Sequence, residues 1–134
     1  MEDLLRLMIQ QTDEFAVIFF DTHGRILWTS HAADRIFGID PSEARGTDAS
    51  RLFTPEEVAR GLDRNEFETA RAGTEAEDDR WMQRQDGSRF WATGVLTPIH
   101  DASGKLVAFG KILRDRTDLR ELMDHVRSQC DSAE

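Results

Sequence analysis

The chain has a single cysteine among its 134 residues, Cys130. That excludes a disulfide framework and any multi-cysteine metal site. It has no surplus of basic residues: 26 Asp and Glu against 17 Lys and Arg leave a net charge of −9, which argues against nucleic acid or an anionic membrane as partner. The acidic residues are spread along the chain and read as a solvated surface. No apolar run approaches the ~20 residues a membrane span needs, and the start, MEDLLRLMIQQ, is amphipathic and acidic, unlike a signal peptide. Histidines are few as well. None of His23, His31, His100 and His125 stands two to four residues from another His, a Cys or a paired carboxylate in a zinc pattern, so each reads as a surface residue. Nothing resembles a nucleophile, base and stabiliser in mutual reach. These absences point to a cytoplasmic protein of one domain, large enough to bury about two-thirds of its unfolded surface without staples.

What is present is organised around residues 86 to 117. Asp86-Gly87 is a tight-turn pair, and Phe90 to Ile99 carries aromatic and β-branched residues at strand density. Asp101 to Gly104 punctuates, Leu106 to Leu113 is a second such run, and Asp79 to Gln85 is a third before the first turn. Upstream, Phe15 to Phe20 is a continuous apolar run, expected to be a central strand buried on both faces. Arg25 to Thr29 returns after a turn at Gly24. Ser30 caps a short helix that Gly38 stops. Asp40-Pro41 starts another, and residues 47 to 53 form an irregular link with Leu52 and Phe53 inward. Thr54-Pro55-Glu56-Glu57 has the cap, first-turn proline and third-position glutamate of a capping box. The helix it opens is predicted to reach Ala72, kinked at Gly61, with Val58, Leu62, Phe67 and Ala70 inward. Residues 3 to 12 form an amphipathic helix at one end. At the other, Leu119, Leu122, Met123, Val126 and Cys130 make one apolar stripe. The order of helix, two strands, short helices, three strands and helix is that of an α+β domain with helices on one side of an antiparallel sheet.

Arg84-Gln85-Asp86-Gly87-Ser88-Arg89-Phe90-Trp91, then Asp101-Ala102-Ser103-Gly104, then Asp115-Arg116-Thr117 resemble the C-terminal half of a PAS domain. Asp21-x-x-Gly24-Arg25-Ile26-Leu27 followed by Ala32-Ala33-Asp34-Arg35-Ile36-Phe37-Gly38 resembles its N-terminal half, with Ser30 where the family usually has Asn and His31 where it often has Pro. The resemblance covers roughly residues 14 to 117, with flanking helices over 1–13 and 118–134. It implies a five-stranded sheet and a sensory or dimerisation role in a bacterial signalling protein of the histidine-kinase type. It also implies a homodimer contact through Leu4, Leu5, Met8, Leu119 and Leu122, a C-terminal helix leading to an effector domain, and a signal hinge at Asp115 and Thr117. A first helix that only covers its own sheet, and a last helix that packs on itself, stand beside those readings. His125 lacks the surroundings of a phospho-acceptor, and no ATP-binding region follows.

Cofactors can be tested residue by residue against the resemblance. Haem-binding members often take an axial His from the long helix, and residues 56 to 72 contain none. Flavin photosensors carry a reactive Cys where Ala49 stands, and read the flavin with amides where Met82, Ala92 and Leu113 stand, so light-driven flavin–thiol chemistry is excluded. No cofactor is expected. An unknown small apolar ligand among Phe37, Phe53, Phe67, Met82, Ala92, Gly94 and Leu113 is one expectation, since small inner-face residues leave room. A core filled by Phe37 or Phe67, making a purely structural interaction module, is the other. Non-covalent FAD or haem in a redox sensor is a third.

Overall fold

The computed structural model describes residues 2–132, with the backbone alone for residues 2, 78 and 130–132. Helix α1 (Glu2–Gln11) leads into strands β1 (Ala16–Phe20) and β2 (Ile26–Thr29). A helical layer follows: α2 (His31–Phe37), α3 (Pro41–Ala44), a 3-10 turn (Ala49–Leu52), α4 (Pro55–Ala59) and α5 (Leu62–Arg71). Strands β3 (Ala76–Gln83), β4 (Arg89–His100) and β5 (Leu106–Asp115) complete the sheet, and α6 (Thr117–Ser132) leaves it. The five strands stand in the order β2-β1-β5-β4-β3, every neighbouring pair antiparallel. This is the expected α+β, five-stranded PAS architecture. No helix among the described residues is long and apolar enough to cross a membrane.

Period-two alternation decides what each strand buries. Ala16, Ile18 and Phe20 of β1, Phe90, Ala92 and Leu96 of β4, and Phe109 and Leu113 of β5 face the helices and form the core. The expectation that β1 is buried on both faces does not hold. Val17 and Phe19 turn to the outer face and are half-buried, because the helical layer covers one side only and Phe19 has Trp28 beside it there.

Local chemistry sets the helix ends. Ser30 Oγ accepts from Ala33 N, capping α2, and also from Val17 N at 3.0 Å, so one hydroxyl ties the helix to β1. Thr54 caps α4 through Glu57 N, and the Glu57 carboxylate takes Arg80 of β3 at 3.3 Å. The single helix expected over 55–72 is two helices. Gly61 sits at φ +73°, a left-handed conformation that only glycine adopts cheaply, so the chain breaks there instead of kinking. The break turns Val58 outward, against expectation, while Phe67 and Ala70 stay buried and Leu62 is half-buried. The supposedly irregular link contains the 3-10 turn, capped by Asp48. The third strand starts three residues earlier than the sequence suggests.

Candidate functional site: the strand-to-helix junction and the inner face

The junction between β5 and α6 is built from short polar side chains. Asp115 Oδ1 accepts from Thr117 N at 3.1 Å and Thr117 Oγ1 at 2.6 Å, a local turn that starts the helix. Thr117 Oγ1 in turn accepts from Trp91 N at 3.1 Å, and Arg116 N donates to Trp91 O at 2.6 Å. The other carboxylate oxygen of Asp115 is held by Arg84, 3.1 Å away. Arg84 also donates to Ile36 O and Arg89 O, and its guanidinium lies 4.8 Å from the Phe90 ring centroid. One side chain therefore joins α2, the β3–β4 hairpin and the start of α6. One turn along α6, Arg120 stacks 4.6 Å over Trp91, whose ring meets Trp81 edge-on at 5.4 Å on the outer face.

The inner face is occupied by side chains. Phe67 of α5 stands edge-on to both Phe20 and Phe109 at 5.2 Å, and Phe37 packs on Phe90 at 5.1 Å. Between them lies an ion pair. Lys111 Nζ of β5 meets Glu66 Oε1 of α5 at 2.8 Å, with the two side chains 2 % and 1 % exposed. The same ammonium sits 4.9 Å from the Phe53 ring centroid, and Arg80 approaches that ring at 5.5 Å.

Of the residues read as a ligand pocket, Phe37, Phe53, Phe67, Met82, Ala92 and Leu113 all lie in this core. All six belong to one buried cluster, and the Phe53 ring lies beside Lys111 Nζ. Gly94 does not thin the sheet to make room. A Cβ built there would stand 2.4 Å from Ile112 O and 2.8 Å from Leu113 Cβ, so the glycine permits close approach of β4 to β5. Ala49, the first residue of the 3-10 turn, is buried.

Asp115 and Thr117 form the junction just described. Of the dimer candidates, Leu4, Leu5, Met8 and Leu122 are exposed, while Leu119 is half-buried at the base of α6; the side chain of Cys130 is outside the described residues. All four histidines are on the surface. Sequence reasoning missed Arg84, Lys111, Glu66 and the Arg120–Trp91 stack. A signal existed for Lys111, since alternation with Phe109 and Leu113 puts it inward.

A family model described as "PAS domain" matches residues 14–118. The chain is 29 % identical over 121 residues to Two-component system protein A of Emericella nidulans, an alignment covering 90 % of this chain and 18 % of that protein. Among solved structures it superposes on the PAS domain of a protein from Colwellia psychrerythraea with a TM-score of 0.79 at 17 % identity, covering 87 % of this chain and 98 % of that one. It superposes on an RNA-binding Light-Oxygen-Voltage receptor with a TM-score of 0.81 at 19 % identity, covering 98 % of this chain and 37 % of that one. The order of the strands agrees with the fold of these neighbours, and the chain belongs to the PAS domain family of sensory modules.

Proposed function

We propose that this PAS domain is a homodimeric relay module of a two-component signalling protein, passing its input through the Asp115–Thr117 junction to an effector at the far end of α6. The observation that carries the reading is the apolar stripe of α6. Leu122, Met123 and Val126 are 58 %, 42 % and 52 % exposed on a helix docked at its first turn, through Thr117 and Arg120. Such a stripe on a 16-residue helix, about 24 Å long, is unfavourable in water without a partner. Leu4, Leu5, Leu7 and Met8 of α1 add a second exposed stripe at the opposite terminus. A second copy supplies matching faces to both, as isologous dimers do. The two-component relative supports the setting, and the acidic chain without an apolar span suits a cytoplasmic segment.

The filled inner face supports association, not an enclosed apolar ligand, as the form of input. Sedimentation velocity at high-micromolar protein tests this. Wild type is expected to dimerise. Leu5→Glu with Met8→Glu, and separately Leu122→Glu with Val126→Glu, should shift it toward monomer while leaving the circular dichroism unchanged. A wild-type monomer, or a dimer indifferent to both pairs, would sink the proposal.

A further inference from the structure

A groove of about 580 Å³ opens on the outer face of the sheet, on the side away from the filled core. Leu5, Arg6 and Ile9 of α1 form one wall, and Phe19, Leu27, Trp28 and Ala108 of β1, β2 and β5 form the other. Its size is that of a small-molecule site. The groove is preformed, because the end of α1 is tied down beside it. Gln10 Oε1 accepts from His31 N at 3.1 Å, and Arg35 donates to Asp13 Oδ1 at 3.3 Å and to Asp13 O at 2.9 Å.

Six of the seven lining residues are apolar, and they are incompletely covered. Leu5 and Leu27 are 50 % and 46 % exposed, and Ile9, Phe19, Trp28 and Ala108 are half-buried. Apolar surface left open in this way is unfavourable in water. The seventh residue is Arg6, the one charge on the groove wall. It is exposed and makes no ion pair or hydrogen bond among the described residues, and Asp3, one turn earlier, is not paired with it. Leu4, Leu7 and Met8, the rest of the α1 stripe, do not line the groove. A second copy seated on that stripe therefore does not by itself fill it.

We infer that this groove binds a small amphipathic anion, a carboxylate on an unbranched apolar chain, with Arg6 as its counter-charge. The chain covers Leu27, Phe19 and Trp28, while the carboxylate takes the guanidinium in the planar two-point arrangement that arginine favours. A cationic head would meet a like charge there, and a neutral one would not use it. The net charge of −9 opposes anions over the molecule as a whole, so affinity comes from the apolar chain and the head group fixes its direction. An occupant touches both α1 and, at Ala108, the strand that ends at the junction. The site does not depend on whether the domain dimerises, since Arg6 and Leu27 take no part in that proposal.

Amide- and indole-resolved NMR of the full chain tests it, with sodium octanoate as the probe and sodium butanoate and octyltrimethylammonium chloride as comparisons at equal ionic strength. The expected result is saturable shifts at residues 5–9, 19, 27–28 and 108 with octanoate. Octanoate should bind at least about tenfold tighter than butanoate, because each buried methylene adds to the transfer free energy, and the octyl cation should not reproduce the shifts. Arg6→Glu should weaken octanoate binding about fivefold or more. Leu27→Asp, at an exposed position on the opposite wall, should do the same without touching Arg6, and so serves if the first variant disturbs α1. Absence of octanoate shifts at millimolar probe, equal binding of the octyl cation or of butanoate, or undiminished affinity in either folded variant would overturn the assignment. Shifts of the same residues on raising the protein concentration alone, with none on adding octanoate, would also overturn it and give the groove to a second copy.

Discussion

Arg84 and Thr117 divide Asp115 between them. Arg84 takes Oδ2 at 3.1 Å and Thr117 takes Oδ1 at 2.6 Å. The carboxylate is about one-third exposed, so its value lies in geometry more than in Coulomb energy, which water screens at such a site. It fixes the first turn of α6 relative to the neighbouring β3–β4 hairpin. The α6 direction is thus set in part by Arg84 and Asp115, which are not part of α6.

Replacing Arg84 with Ala removes a half-buried ion pair, two hydrogen bonds to backbone carbonyls and a stack on the buried Phe90 ring. A loss of about 2–3 kcal/mol is expected, read by urea unfolding. Arg84→Lys should recover only part, because an ammonium cannot reach Ile36 O, Arg89 O and Asp115 with one planar fork. Full recovery by Lys would show that charge alone suffices.

The buried pair on the inner face gives an asymmetric expectation. Lys111→Met takes the buried ammonium away from Glu66 and should cost about 3–5 kcal/mol, more than the double change Lys111→Met with Glu66→Leu, in which both charges leave together. Thermal melts of the two singles and the double form the cycle. Additive losses would mean that the pair does not act as a unit.

Gly94→Ala places a methyl group where Ile112 O and Leu113 already stand. The strands must part, and overpacking of this kind costs about 1–3 kcal/mol. Faster amide exchange is expected for β4 and β5 around residues 92–96 and 111–115. An unchanged melting temperature would be inconsistent with the close approach described.

Asp101 and Asp86 carry the pH dependence of the two hairpin turns. A hydrogen bond from the Ser103 hydroxyl, then one from Lys105 N, holds the Asp101 carboxyl below its usual range. The Ser88 hydroxyl does the same for Asp86, followed by Ser88 N. A folded-state pKa below the unfolded one contributes stability above the unfolded value and loses it as pH falls through the folded value. Both turns should therefore loosen in acid, below the ordinary carboxylate range. Amide shifts at Ser88, Ser103 and Lys105 followed against pH check this, and Asp101→Asn should flatten the β4–β5 turn's response. A turn that tightens in acid would contradict the sign.

The strands, their turns and the caps at Ser30, Thr54 and Gly38 were legible in the sequence because each depends on neighbours within a few residues. The Arg84 hub was not: its partners Ile36 and Asp115 are 48 and 31 residues away, and no local pattern records such a meeting. Glu66 was hidden for a related reason. A glutamate beside Phe67 on a charged helix looks solvated until β5 brings Lys111 beneath it. Gly94 misled because a missing side chain reads as empty space, when a neighbouring strand had already moved into that space. The Gly61 break was half visible, since glycine signals an interruption but not whether the axis bends or ends.

That break has a mechanical meaning. Gly61 leaves the helical cover as two plates, α4 pinned to β3 by Glu57 and Arg80, and α5 resting on β3 and β4 and pinned to β5 by Glu66 and Lys111. A continuous rod would make every displacement of the two shared. With a swivel at residue 61, α5 can tilt on the sheet without carrying the axis of α4 along, and the Glu66–Lys111 pair gives such a tilt a route to the exit strand.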